Sequence, residues 1–580
     1  MTTTDVGEAM ASTQIPRFLV VVGIVARAFV FVSALAAVVF CLLALDRGFE
    51  ITDEAYYLLL GMHPKAVSLY VSAQHWIMGP LWQMTGSLVS FRAMGLFILV
   101  GSSVVLAAGT CVALAERGVR VSSSGKALVV CGSVVGALLY IATINLSPSY
   151  NLLTSAGAYL AAGCTLLTLH QQRGWLRGGL AILNGAALCV VFVNKPSAGV
   201  ATFALLSLWM VLLARTPREG ALWVFASGTV FAATVAALAL AQTTPSEIQS
   251  GLANGLELFR MVQTESVGAR LLRYASDYAG YVGQTLRSFW AVALCIGVFL
   301  LTRRAVIIAA TLVILAFTLL DGNYLLGGVE QYVVQIRAAL AVLLASLAVS
   351  ASVWARDRRL ATLVLGLAAL PYAVAFGTGN SLFTQIIVSM APWGTLIAAS
   401  AMLADAERSD RSMAFALLAA FSVTLASQIV TSGFRAPYHL AAPLSGQTER
   451  VNVGNLGRVR VDAGTAAFVR SLDAAVTTCR ISPSAAFLGL YNIPGVALAL
   501  RAVPVVTPWL NNVAQAETAL AFGPPGVLQS VVVAIRENSD GSRVVLPSRL
   551  AAFPTGFRFC GDATYPFENQ RITIWHATPG

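Results

Sequence analysis

Apolar runs of the length that crosses a bilayer, roughly 17 to 25 residues each, recur about thirteen times in this chain. They lie near 26–45, 88–115, 127–146, 150–170, 178–194, 197–214, 220–241, 288–302, 305–320, 337–354, 360–376, 384–403 and 413–430. Nothing else in the sequence restricts the fold as much. A segment in hydrocarbon must satisfy its own backbone hydrogen bonds, and a helix does so without a partner. The expected fold class is therefore mostly α, a polytopic membrane protein of about 13 transmembrane helices, with the runs near 288–302 and 305–320 the shortest. A composition of 57% hydrophobic and 11% charged residues over 580 agrees, because one soluble core does not hide that much apolar surface. The stretch Phe18–Leu45 is too long for a signal-peptide core, and Met1–Pro16 has no basic segment. It reads as a retained first helix, with Arg27 snorkelling to the cytoplasmic face.

The net charge of +11 would suggest nucleic acid in a soluble protein, but here it reports topology. Arg117, Arg120 and Lys126 fill one gap between apolar runs. Arg173 with Arg177, Arg215 with Arg218, Arg303 with Arg304, Arg356 with Arg358 and Arg359, and Arg408 with Arg411 fill five more. The positive-inside bias makes these gaps cytoplasmic. The other gaps then face outward: 46–87, 147–150, 194–197, 242–287, 321–336 and 377–383. After Val430 the pattern turns mixed, with alternating runs over Val451–Val461, a helix-like Thr465–Ala475 and a strand-like Val531–Ile535. The division expected is a membrane domain over 1–430 and an extracytoplasmic soluble α/β domain over 431–580. Of eight cysteines only Cys479 and Cys560 fall in the second, and an oxidising compartment makes them an expected disulfide.

Directly after the first apolar run comes Asp46-Arg-Gly-Phe-Glu-Ile-Thr-Asp-Glu-Ala-Tyr-Tyr57, centred on Asp53-Glu54. Adjacent carboxylates near low dielectric raise each other's proton affinity, which suits one of them to act as a base near neutral pH. Charge alone reads equally well as a wet loop that ends a helix. The surrounding pattern favours chemistry: an outward first loop with Asp-Glu, a long partly amphipathic segment, then an Arg opening the second helix. In this it resembles the GT-C fold glycosyltransferases, and within them the protein mannosyltransferases and the lipid A aminoarabinose transferases, over some 430 residues plus the soluble tail. Its sharpest motif is Asp53-Glu54 with Tyr56-Tyr57.

The resemblance implies a donor sugar on a polyprenyl phosphate, a glycan, lipid or protein acceptor, and a first-loop acid as base, matched here by Asp53 with Glu54 beside it. Phosphate as leaving group calls for fixed positive charge, and the outward candidates are Lys65, Arg92, Lys195 and Arg337, with Lys65 preferred because it follows His63-Pro64 in the same loop as the acids. Tyr57 and Tyr150 are the candidate sugar contacts. Asn151 reads more readily as a cap of the fourth helix. The chain departs from the family in the turn after the third helix, where Asn145-Leu-Ser-Pro-Ser-Tyr-Asn151 holds no carboxylate. A divalent cation prefers several hard, charged oxygens, so the expectation is no metal and no other cofactor. Gly377-Thr-Gly-Asn380 is a weaker candidate binding loop, His75 and Trp76 border either the sugar or the lipid interface, and His439 and His576 have no evident partner. The competing functions are a transporter of a lipid or small solute, disfavoured by spans almost free of carboxylates, and a non-catalytic envelope assembly protein.

Overall fold

The computed structural model describes residues 17–578 apart from 71, 144, 172, 263–264, 326–331, 405–407 and 538–543. The segment Met1–Pro16 and part of the gap 321–336 thus lie outside the described residues. In chain order the helices are α1 (Arg17–Ala44), α2 (Asp53–Met62), α3 (His75–Thr85), α4 (Leu88–Ala115), α5 (Ser123–Leu138), α6 (Tyr150–His170), α7 (Gly174–Asn194), α8 (Pro196–Leu213) and α9 (Pro217–Gln242). They continue with α10 (Pro245–Val262), α11 (Val267–Ser288), α12 (Trp290–Thr302), α13 (Ala305–Asp321), α14 (Tyr332–Trp354), α15 (Arg358–Ala375), α16 (Leu382–Gln385), α17 (Ala391–Leu403) and α18 (Arg408–Arg435). Each of the thirteen apolar runs is helical over most of its described residues. Among the described residues ten helices are long and apolar enough to cross a membrane, and up to 12 if two bent pairs each count as one span. The bends are 71° between α11 and α12 and 73° before α17, and α13 is a shorter apolar helix. The count of about thirteen is met only when α13 is added.

The bundle has two unlike ends. At one, the Arg-rich gaps come together: Arg177 pairs with Glu219, Arg303 with Asp410 at 2.5 Å, and Arg359 donates to the carbonyl of Ala214 at 3.0 Å. At the other, the turn Asn145–Ser149 and the end of α7 meet the long first loop, and the loop before α16 packs on the start of α8 and on α11. α1 and α18 run in parallel between these ends, with Ser412 donating to the Leu19 carbonyl at 3.2 Å and Phe40 against Phe434 at 5.7 Å. Large apolar side chains such as Val32, Leu35, Phe225 and Phe317 stay exposed on the outside of the bundle, as hydrocarbon-facing residues do. Arg27 turns back to the Gly23 carbonyl at 2.8 Å, toward the helix start.

The tail folds as an α/β unit. A hairpin, β1 (Glu449–Asn452) with β2 (Arg458–Val461), precedes α19 (Ala463–Cys479). A five-stranded sheet follows in the order β4-β3-β5-β7-β6, built from β3 (Ala486–Leu490), β4 (Val503–Pro504), β5 (Val532–Arg536), β6 (Phe557–Tyr565) and β7 (Gln570–Ala577). Strands β3, β4 and β5 are parallel, and β5, β7 and β6 antiparallel. Cys479 and Cys560 form a disulfide with alpha carbons 5.4 Å apart, clamping α19 to β6.

The first loop belongs to both parts. Phe49, Ile51, Leu58 and Leu59 are buried in one apolar cluster with Val453, Val459 and Val496 of the tail. The Gly495 amide donates to the Ile51 carbonyl at 2.8 Å, and a Cβ on Gly495 would stand 2.6 Å from the Ile51 alpha carbon. Burial of this kind, at about 25 cal/mol per Å² of apolar surface, fixes the loop against the soluble unit. It also sets the direction in which Asp53 faces.

Candidate functional site

Helix α2 begins at the acidic pair because its first amides are capped from outside the helix. Glu50, fully buried, accepts from the amides of Thr52 at 2.6 Å and Glu54 at 2.8 Å, and also from the Thr52 hydroxyl. Negative charge is favoured at that end, where unpaired N–H groups point outward. Three carboxylates thus crowd one helix start, and each takes a different role.

Glu54 is locked. Its carboxylate meets Arg92 in a bidentate pair, Nε to Oε1 at 2.7 Å and Nη2 to Oε2 at 2.6 Å, with both side chains 1% exposed. Asn145 Nδ2 adds a bond to Oε2 at 2.9 Å and the Ser147 hydroxyl one to Oε1 at 2.7 Å. Arg92 gives its remaining N–H groups to the carbonyls of Leu45, Arg47 and Gly48, so all five of its donors are engaged. Gly95 lets this happen: a Cβ there would stand 1.9 Å from the Leu146 carbonyl, so only glycine admits the turn that carries Asn145 and Ser147. In this geometry Glu54 and Arg92 tie α2, α4 and the α5–α6 turn together and leave nothing over for a ligand.

Asp53 is different. It is half-buried, and its Oδ2 accepts from the Tyr438 hydroxyl at 2.6 Å, while no partner of Oδ1 is found among the described residues. Burial, with Glu50 close by, pushes its carboxyl up to about 6, against the opposing pull of Tyr438 and His439. Tyr438 and His439 come from the segment that joins α18 to the soluble unit, and their rings stack at 3.8 Å. His439 Nδ1 lies 3.0 Å from the Thr52 hydroxyl and 3.5 Å from Glu50 Oε1. Burial alone would lower His439, but Glu50 and Asp53 hold it above its ordinary value. Tyr565 of β6 braces the arrangement by reaching the carbonyls of Phe49 at 3.1 Å and His439 at 3.0 Å. The expectation that His439 lacks a partner is therefore corrected.

The other sequence candidates fall at unequal distances. Tyr57 is buried with its ring 5.9 Å from Tyr150, and Tyr56 lies beside it at 5.3 Å, so both candidate sugar contacts flank Asp53. Asn151 is not the helix cap; Ser149 is, accepting from the Leu152 amide at 3.1 Å. Asn151 instead faces Gln385, at 3.5 Å, whose Oε1 accepts from Asn380 Nδ2 at 3.0 Å, bringing the Gly377–Asn380 loop to the same wall. Lys65 is exposed and lies past the C-terminal end of α2, in the short turn Pro64–Ala66, at the opposite end of that helix from Asp53. Lys195 is buried and donates to the carbonyls of Ala375 at 3.0 Å and Val374 at 3.4 Å, capping the end of α15. Arg337 lies over the Tyr281 ring at 5.6 Å, and its buried Nε has no partner among the described residues. Tyr281 stacks on Phe383 at 4.6 Å, two residues from Gln385, which links Arg337 to the wall at Asn151 and Tyr150. His75 is buried, and burial lowers it to about 4.

Glu50, Tyr438, His439 and Tyr565 escaped sequence reasoning. Only Glu50 leaves a local signal, an acid two residues before Thr52, the N-cap position of α2. A divalent cation fits this donor set poorly. Both oxygens of Glu50 and of Glu54 are taken, the facing turn supplies an amide and a hydroxyl, and among the described residues no three His, Cys, Asp or Glu side chains are arranged to hold a metal ion.

No family model matches this chain, and no curated protein matches it significantly. Solved structures similar to it include ArnT from Cupriavidus metallidurans bound to undecaprenyl phosphate, 13% identical with a TM-score of 0.40, covering 94% of this chain and 98% of that one. They also include the Archaeoglobus fulgidus oligosaccharyltransferase in complex with Zn and sulfate, 11% identical with a TM-score of 0.45, covering 93% of this chain and 79% of that one. The likeness is of overall fold, spread over nearly the whole chain, and too distant to transfer the role of any residue.

Proposed function

We propose that the protein is a membrane glycosyltransferase of GT-C type that moves a sugar from a polyprenyl-phosphate donor to an acceptor hydroxyl on the extracytoplasmic side, with Asp53 as base. One observation carries this reading. At the junction of membrane and soluble parts, Asp53 keeps an oxygen without a partner among the described residues, and its proton affinity is raised to about 6. A carboxylate so placed is ionised at neutral pH yet basic enough to take a proton in the transition state.

In the reaction the acceptor hydroxyl gives its proton to Asp53 Oδ1 as its oxygen bonds to the anomeric carbon. The bond from that carbon to the phosphate oxygen breaks, and the electron pair leaves with the polyprenyl phosphate. Arg337 is the cation we assign to that phosphate. Arg92 and Lys195 are committed to protein acceptors and Lys65 stands beyond the far end of α2, whereas Arg337 has a buried N–H to give. Arg92 and Glu54 are positioning residues in this scheme, and Tyr438 and His439 tune the base. The Arg-rich end of the bundle is assigned to the cytoplasm by its charge.

The test is transfer by the full-length protein in nanodiscs, with a radiolabelled sugar on polyprenyl phosphate. Asp53→Asn should reduce turnover to background while donor binding persists, and Arg337→Gln should weaken donor binding. Turnover near wild type in Asp53→Asn contradicts the proposal.

A further inference from the structure

Asp53 and Tyr56 stand one turn apart on α2, and the soluble unit brings Trp509 against Tyr56 with ring centroids 5.4 Å apart. Trp509 is half-buried. Its indole N–H donates to Asn492 Oδ1 at 2.8 Å, so the polar end of the ring is spent inside the soluble unit and what remains to offer is a flat apolar face. The segment that carries it is pinned to the first loop. Val506 sits at φ +53, a region β-branched residues rarely enter, and its carbonyl accepts from the amides of Ser68 at 3.0 Å and Leu69 at 3.1 Å. The Asn492 amide closes the other side on the Leu510 carbonyl at 2.9 Å.

A second, independent observation lies on the same wall. Gln74, 4% exposed, donates to the Tyr56 hydroxyl at 3.0 Å, yet its Oε1 meets no donor among the described residues. A buried amide oxygen without a donor is costly, and such groups in folded proteins are satisfied by a ligand or water.

We propose that Trp509, Tyr56 and Gln74 form an acceptor subsite for an uncharged sugar ring, so that the acceptor is a glycan; this rests on the reading of Asp53 as base. A sugar ring has an apolar face of C–H groups and a rim of hydroxyls. The indole and phenol present the matching flat surface, and Gln74 Oε1 takes a hydroxyl proton. The two substrates are assigned to different parts of the chain: the phosphate to Arg337 on a membrane helix, the acceptor ring to Trp509 of the soluble unit. None of the three side chains is charged, so a phosphorylated headgroup finds no counter-ion in this subsite.

The experiment is saturation-transfer NMR on the full-length protein in nanodiscs, with short neutral hexose and pentose oligosaccharides as probes beside serine- and threonine-containing peptides. Ring C–H protons of an oligosaccharide should be saturated by the wild type. Trp509→Ala and Gln74→Leu should each weaken the best binder about tenfold, and Trp509→Phe, which keeps a stacking face, about threefold or less. A short-chain polyprenyl phosphate measured in the same samples should bind equally to all of them. If Trp509→Ala fails to fold, Gln74→Leu and Trp509→Phe carry the decision. Peptide binding without sugar binding, no binding by any oligosaccharide, or unchanged affinity in Gln74→Leu overturns the subsite. An oligosaccharide that binds as described to a protein still fully active as Asp53→Asn would instead overturn the base and leave a glycan-binding surface standing.

Discussion

Replacing Glu54 by Gln separates a positioning acid from a catalytic one. The change alters almost no volume, but it leaves the Arg92 guanidinium, 1% exposed, without its counter-ion. A glutamine offers one acceptor oxygen where the carboxylate uses two, against Arg92 Nε, Arg92 Nη2, Asn145 and Ser147. Its amide N–H groups would also face other donors. Breaking a buried pair this way costs about 3–5 kcal/mol, whereas an exposed pair such as Arg470 with Glu449, with side chains 62% and 41% exposed, is worth about 0–1 kcal/mol. At about 1.4 kcal/mol per factor of ten, the α2 amides from Tyr57 to Met62 should exchange hydrogen about a hundredfold or more faster in Glu54→Gln, if exchange follows opening of this junction. The pair Glu54→Leu with Arg92→Met should recover much of that protection, since two fitted apolar side chains can replace a buried ion pair. Exchange within about threefold of wild type in Glu54→Gln would refute the argument that this pair holds the loop in place.

Three further outcomes follow from the geometry. Because the Asp53 carboxyl is raised from 3.8 to about 6, kcat/KM should climb between pH 5 and 7 with a midpoint near 6, and Tyr438→Phe, which removes a bond to the ionised form, should move that midpoint up. The stability sign is opposite: an acid raised by folding opposes folding when ionised, so its unfavourable contribution is relieved as pH falls through about 6; a midpoint that stays or drops in Tyr438→Phe refutes the tuning role. Replacing Cys479 and Cys560 by Ser, 81 residues apart, should destabilise the soluble unit by about 4.5 kcal/mol in the chain-entropy model, read in denaturant, and indifference to reductant would refute it. A cysteine placed at exposed Ala552 should react with an impermeant maleimide on intact cells and one at Arg304 only after lysis; the reverse pattern inverts the assigned orientation.

The sequence disclosed what depends on local pattern. Spans are legible because each run satisfies its backbone alone, and the hairpin at Val451–Val461, the helix at Thr465–Ala475 and the strand at Val531–Ile535 announce themselves by periodicity. The site is assembled across long separations, and there local pattern fails. Glu54 and Arg92 are 38 residues apart, so nothing nearby told that the cation is consumed by the acid. Tyr438 meets Asp53 across 385 residues and His439 meets Thr52 across 387, which is why a histidine beyond the last span looked idle. Composition also does not mark where the two parts meet: α18 continues to Arg435, and Phe49 and Ile51 of the first loop are buried in one cluster with residues of the soluble unit. Hydropathy sorts residues by environment, but it does not say which outward loop a soluble domain will bury.

Whether Asp53 is the base is decided by the single-turnover rate of sugar transfer in Asp53→Asn, measured at pH 7.5 with donor and acceptor saturating so that binding and release drop out. The expected fall is about a hundredfold or more, the scale of a lost general base, with the hydrogen-exchange protection of α2 retained. A single-turnover rate within about threefold of wild type would contradict it.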